Sequence, residues 1–237
     1  MPAQAEVSGN PVPALAPDIW LSERLGTAAF TLPAEADAEL RPAVRPAFLQ
    51  TKVDIENPSR VEALIRAGYS LVETAVTLEK SIDGVSNVGG TARFAAPADE
   101  PAVRQIAGCA FSQSRFHKDE RIARRVADRI KADWAGNFFS GSRGTHMVIA
   151  QDSGRIAGFL LLIHCGKRLI IDLVAVAPPS QGRGIGRAML DFAAEHVAGA
   201  QLYVVGTQLQ NVRSLVYYNG YGFRIVRASH SLHRHLS

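Results

Sequence analysis

The sequence predicts a mixed-sheet α/β protein in two parts, and three observations carry that prediction. An apolar, β-branched run at 169–176 stops at Pro178-Pro179 and gives way to Gly182-Arg183-Gly184-Ile185-Gly186, the order of a buried strand, a glycine turn and a helix start. Before this run the chain reads as a meander of strands, and after it strand and helix alternate, so antiparallel and parallel pairing are expected in one sheet. Further upstream, SIDGVSNVGGTA, dense in Gly, Ser and Asn, reads as a linker after an earlier strand–helix–strand piece.

Taken in order, residues 1–17 hold four prolines and no basic N-terminal region; they are neither a signal peptide nor a helix and are expected to be a disordered leader. Residues 18–80 are expected to form a partial α/β lobe, with AFLQTKVDI as a strand, PSRVEALIRAG as an amphipathic helix and YSLVETAVTLE as an alternating strand. Residues 81–92 are the linker, and 93–237 the second domain. There ARFAAP is a short strand, a helix opens at Asp99 or Glu100-Pro101, and a second helix is expected over 118–134. Strands at 146–150 and 155–165 follow, then the apolar run, a helix to 197, a strand at 201–207, a helix from Asn211 and a last strand from Phe223.

The chain resembles itself. Asn57 and Gly68 stand eleven apart, as do Asn211 and Gly222, and an aromatic residue, Tyr69 or Phe223, follows each glycine. Both copies read as strand, Asn-started helix, Gly cap and strand. The first copy lacks the glycine loop and has Leu64 where the second has Tyr218, so only the second half can hold phosphates.

Composition narrows the function classes. With 237 residues, 47% of them hydrophobic, the chain is long enough for a sizeable core and has no run able to span a membrane. The net charge of +4, with 26 Lys and Arg spread without a basic block, argues against nucleic-acid binding and suits an anionic small ligand. Cys109 and Cys165 lack metal or redox spacing and are expected to be buried, reduced thiols of a cytoplasmic protein. The alternating histidines of SHSLHRH suit no metal site and are expected on a solvated edge, while His164, within FLLLIHC, reads as a core histidine.

The glycine turn is an anion trap. Gly182, Gly184 and Gly186 let the backbone approach a ligand, the free amides of the helix start point at it, and Arg183 and Arg187 add charge. A pyrophosphate is the expected ligand. A dinucleotide loop would need a third glycine where Arg187 stands, and no G-x-x-x-x-G-K-[ST] run exists. What fits is Q-x-x-G-x-G, at Gln181, Gly184 and Gly186. Thirty residues on, Asn211, Ser214, Tyr218, Gly222 and Phe223 fit N-x-x-[AS]-x-x-x-Y-x-x-x-G-F. With both motifs in this order, the chain resembles the GNAT acetyltransferases, and it is most similar to the dTDP-fucosamine acetyltransferase group through its F-x-x-S-R-F-x-x-D and ADRIKADW-x-x-N segments.

The resemblance implies a GNAT fold, a mostly antiparallel mixed sheet with splayed central strands, preceded by a lobe like a degenerate half of that unit. It implies acetyl-CoA as cofactor, its pantetheine along Leu173, Val174, Ala175 and Val176, and its pyrophosphate on the amides of Gln181, Gly182, Arg183, Gly184, Ile185, Gly186 and Arg187. Asn211, Ser214 and Tyr217 are implied on the same ligand. Tyr218 is the implied general acid for the departing thiolate, with Tyr217 as the alternative. Asp172 is the carboxylate best placed to receive or orient the acceptor amine, or else a hydrogen-bonded structural residue. Arg115, Phe116 and Thr207 are the candidate substrate contacts, although the arginines of RIARRVADRIKADW equally fit a solvated helix face. The implied partner is a small-molecule amine, first a dTDP-linked amino-deoxy sugar, with a peptide N-terminus, a lysine or a small amine as the alternative; a homodimer is the assembly considered. A catalytically silent CoA-sensing module is the alternative of another class.

Overall fold

The computed structural model describes residues 14–82 and 92–237. The elements run β1 (Ala16–Pro17), α1 (Ile19–Leu25), β2 (Ala28–Thr31), β3 (Ala47–Asp54), α2 (Pro58–Arg66), β4 (Ser70–Ser81), β5 (Ala92–Phe94), α3 (Glu100–Ala110), α4 (Arg115–Lys118), α5 (Arg124–Gly136), β6 (His146–Asp152), β7 (Arg155–Cys165), β8 (Arg168–Val176), α6 (Ile185–His196), β9 (Leu202–Gln208), α7 (Val212–Gly220) and β10 (Arg224–Leu236). By contacts the chain forms two compact units, one ending at Leu71 and regaining Leu232–Ser237, the other Val72–Ser231.

In the first unit β1 pairs antiparallel with β2, β2 pairs parallel with β3, and the end of β10 lies beside β3. Leu49, Val53, Leu64, Tyr69 and Leu232 make its core. Of the expected leader, residues 1–13 lie outside the described residues, and Ala16–Pro17 is a strand. The expected linker also falls outside them, apart from Ser81, the last residue of β4, Ile82 after it and Ala92 at the start of β5.

The second unit carries the mixed sheet, in the order β10-β4-β9-β8-β7-β6-β5. From β4 to β5 its pairs are antiparallel apart from β8 with β9. Alternation along β6 and β7 builds two cores. Val148, Ala150, Leu160 and Leu162 face Met189, Leu190 and Ala193 of α6, while Met147, Ile149, Phe159 and Leu161 face Val103 and Ala107 of α3 and Ala135 of α5. The long apolar run of β7 is therefore a strand covered on both faces.

The internal self-similarity is present in atomic detail. The Asn57 side chain accepts from the Arg60 amide at the start of α2, as Asn211 accepts from Ser214 at the start of α7. Gly68 and Gly222 take φ of 91° and 95°, which favours glycine, and the amides of Tyr69 and Phe223 donate to the carbonyls of Leu64 and Tyr218, each at 2.9 Å.

Three expectations are corrected. The helix expected over 118–134 is α4 and α5, because Asp119 accepts from the amides of Arg121 and Ile122 and turns the chain between them. Cys109 and Cys165 are exposed, since they fall on the outward side of α3 and at the end of β7. The SHSLHRH run is no solvated edge: Ser231 and His233 are 1% exposed, Ser231 donating to Glu73 (3.3 Å) within the second unit and the His233 ring lying 4.7 Å from that of Phe48 within the first.

At the entry to α3 both Asp99 oxygens accept from Arg93 (2.7 and 2.8 Å) and one also from the Ala96 amide (2.7 Å). Arg93 above all holds the Asp99 carboxyl below its ordinary range. Asp99→Ala is expected to lower unfolding free energy by about 1–3 kcal/mol in urea titrations. Because the folded value is depressed, this contribution is present above the unfolded carboxyl value of about 3.9 and is lost as pH falls below it, so wild type and variant should converge in acid.

Candidate active site

The site forms where β8 loses a neighbour. On one side β8 pairs with β7 through Val176; on the other it pairs with β9 only from Arg168 to Ile171. Beyond Ile171 the parallel strands part, and residues 172–176 have one edge free of β9. The pairing with β7 shifts at the same place: Leu162 faces Ile171 and Leu161 faces Leu173, so Asp172 is the extra residue of a bulge.

A cleft of about 840 Å³ opens at the parting, lined by Val174, Ala175 and Val176 of β8, the loop from Ser180 to Gly182 with Gly184, the start of α6, residues 110–114, and α7 with Tyr217 and Tyr218. Gly182 and Gly184 have φ of 78° and 76°, and Gly184 caps α6. Gln181 ties the loop down, its Nε2 donating to the Val176 carbonyl at 2.8 Å. The first backbone bond into the helix is donated by Ala188 to Gly184 (3.0 Å), so the Ile185, Gly186 and Arg187 amides precede it as the open donors of a helix start. Around them Arg183 pairs with Asp152, which also accepts from Ser180 (3.0 Å), and Arg187 lies 3.6 Å from Asp191.

The two tyrosines diverge. The Tyr217 hydroxyl is buried with no hydrogen-bond partner, and a Cβ on Gly186 would stand 2.9 Å from it. Tyr218 is 3% exposed, its ring 5.2 Å from that of Phe223. Burial pushes both phenols far above the ordinary tyrosine value, so both stay protonated at neutral pH. The Asn211 side-chain oxygen is occupied by its cap to Ser214.

Asp172 faces the α3 and α5 side of the sheet. It accepts from Arg143 through both oxygens, each at 2.6 Å, and from Trp134 Nε1 at 2.7 Å. A carboxylate holding three donors in a bidentate frame is placed to orient its neighbours, which favours the hydrogen-bonded reading left open above. Arg115 lies over the Phe116 ring at 4.4 Å, and Phe116 is 1% exposed, so a base could stack on it only by displacing Arg115. Thr207 is 5% exposed and faces Val76 across β4 and β9.

Sequence reading did not find Asp152, Asp191, Trp134 or Arg143. The i,i+4 spacing of Arg187 and Asp191 was a usable signal. The partners of Asp152 and Asp172 lie 28 to 38 residues away, a distance over which spacing says nothing.

Residues 101–223 match the Acetyltransferase (GNAT) family. The chain is 30% identical over 190 residues to a dTDP-fucosamine acetyltransferase of Escherichia coli O6:H1 (strain CFT073), across 78% of this chain and 81% of that protein. It is also 30% identical over 139 residues to the spore coat polysaccharide biosynthesis protein SpsD of Bacillus subtilis (strain 168), across 58% of this chain and 48% of that protein, so the match spans about half the length of that relative. A GCN5-related N-acetyltransferase from Sphaerobacter thermophilus shares the fold with a TM-score of 0.55 at 19% identity, covering 82% of this chain and 61% of that chain. Among the described residues no helix is long and apolar enough to cross a membrane.

Arg143→Met leaves the Asp172 carboxylate with Trp134 as its remaining donor and is expected to cost about 1–3 kcal/mol of stability. Urea titration of R143M, D172N and the double variant checks this: the double variant should lose less than the sum of the single losses, and strict additivity would deny the coupling.

Proposed function

Because the chain belongs to the GNAT family of acetyltransferases, we propose that it moves the acetyl group of acetyl-CoA onto the primary amine of a nucleotide-linked amino-deoxy sugar, with Tyr218 as general acid. The observation that carries this reading is the parting of β8 from β9 over a cleft whose lining includes both the open amides at the α6 start and Tyr218. The name of the E. coli relative, a dTDP-fucosamine acetyltransferase, supports the choice of acceptor.

Acetyl-CoA fits the residues present. The amides from Gly182 to Arg187 would hold its diphosphate, since φ near 76° at Gly184 keeps the loop free of a Cβ and the helix start favours negative charge. The free edge at residues 174–176 would take the pantetheine amides as an added half-strand. What the group supplies is an activated acetyl carbon on a thiol leaving group.

The chain's own residues then act on charge. A backbone amide on the free edge of β8 would donate to the carbonyl oxygen as it becomes negative. Tyr218 would hydrogen-bond the sulfur and give it a proton. Its raised value does not forbid this, because the burial that penalises a phenolate penalises a thiolate in the same place. On the acceptor side Arg115, which lies over the Phe116 ring, would meet a diphosphate, and Thr207 is the further candidate contact.

Tyr218→Phe is expected to lower kcat about 100-fold or more while leaving the affinity for acetyl-CoA unchanged by calorimetry; unaltered turnover would remove Tyr218 as the acid. Gly184→Val forces a β-branched residue to positive φ and should weaken coenzyme A binding at least about tenfold, and retained affinity would contradict the loop's role. Thiol release measured with dTDP-amino sugars beside polyamines and peptides decides the acceptor. Turnover of peptides or polyamines alone would replace the sugar reading, and coenzyme A binding without turnover of any acceptor would point to a sensing module.

A further inference from the structure

Acetyl transfer to an amine needs a group that takes a proton, because an ammonium has no lone pair with which to attack. Asp172 is poorly suited, its oxygens being committed to Arg143 and Trp134. One nitrogen near the cleft is uncommitted. Lys131, on α5, is only 8% exposed, and it has no ion pair or hydrogen bond among the described residues. Its Nζ lies 4.7 Å from the centre of the Trp134 ring and 5.1 Å from that of Phe111. Phe111 is itself a lining residue of the cleft, as are Val174 and Tyr218. Two aromatic faces offset only part of the cost of burying a charge that makes no direct ion pair among the described residues.

We propose that Lys131 is the proton acceptor of the reaction: its Nζ, held between Trp134 and the Phe111 ring of the cleft wall, takes through water the proton that the acceptor ammonium must lose. The inference rests on the acetyl-transfer reading above and adds the acceptor-side residue to it. The neutral Lys131 amine receives the proton from R–NH3⁺ and becomes an ammonium, leaving R–NH2. The nitrogen lone pair forms the C–N bond, the C–S bond breaks, the sulfur takes the Tyr218 proton, and the second proton leaving the nitrogen passes through water to restore Tyr218. Lys131 releases its own proton to solvent, so the sum is amide, free thiol and one proton.

The surroundings suit the role. Glu73 on β4 and Asp172 on β8 favour the charged form, Arg115 on α4 and Arg143 after α5 oppose it, and burial, the largest influence, pulls Lys131 from 10.5 down to about 8. His117 on α4, the other titratable neighbour, is bonded to Asp128. A lysine tuned to that range is neutral often enough to accept a proton and basic enough to hold it.

The test compares wild type with K131R and K131M, after calorimetry with acetyl-CoA has shown each variant folded. Lys131 must be neutral to act, so wild-type kcat/KM rises with pH through about 8. Both variants should lose that rise and about 100-fold or more of kcat, with KM for acetyl-CoA unchanged within about threefold. Arginine keeps the positive charge but does not give up its proton, so a K131R enzyme that keeps its rate and pH profile overturns the proposal and makes Lys131 a charge that binds an anion. Failure of the acetyl-transfer reading shows differently, as a wild type without turnover. Tryptophan emission against pH then decides alone: a transition near pH 8 that K131M lacks sustains a titrating amine against Trp134, and its absence overturns the proposal.

Discussion

The arrangement depends on one constraint: two parallel strands that share a sheet for four residue pairs and then separate. β8 and β9 are joined from Arg168 with Leu202 to Ile171 with Val205, and the bulge at Asp172 turns β8 away where the pairing ends. An edge exposed inside a sheet leaves backbone donors and acceptors unmet, a cost tolerated where a ligand supplies the missing partners. The glycine loop at the end of β8 and α7 at the end of β9 stand beside that opening because each follows directly from one of the parting strands.

Charge holds the opening in shape. Arg143 and Trp134 fasten Asp172 from the α5 side, Asp152 fastens Arg183 and Ser180 behind the glycine loop, and Asp191 meets Tyr221 and Arg187 on α6. Asp172 and Asp152 each take more than one donor, which fixes geometry more firmly than a single surface ion pair would, while Asp191 accepts from Tyr221 and has Arg187 at 3.6 Å. The arginines of the loop are thus partly neutralised from behind, and the backbone amides remain the donors that face the cleft.

The repeated strand–helix–strand unit shows how one local design serves two ends. Asn57 and Asn211 cap their helices alike, and Gly68 and Gly222 stop them alike. The copies differ at the position that bonds the residue after the glycine: Leu64 in one, fully enclosed in an apolar core, and Tyr218 in the other, which lines the cleft. A phenol at that position places a hydroxyl where the first copy has only a hydrocarbon, with the backbone of the unit unchanged.

How much was legible in the sequence follows from the range of the interactions involved. The strands from β3 on, the caps at Asn57 and Asn211 and the glycine loop depend on neighbours within a few residues, so period and spacing revealed them, whereas β1, α1 and β2 carried no such signal. Where a local signal misled, a nearby competitor had won, as when Asp119 broke the helix expected over 118–134. The parting of β8 from β9, the burial of Ser231 and His233, and the fastening of Asp172 by residues 29 and 38 positions away belong to no window of sequence. The chain alone determined most of its elements and its glycine loop, because local backbone conformation dictates them; the tertiary structure decided which carboxylate is tied and which lysine is left untied, because burial and pairing are properties of what the fold brings together.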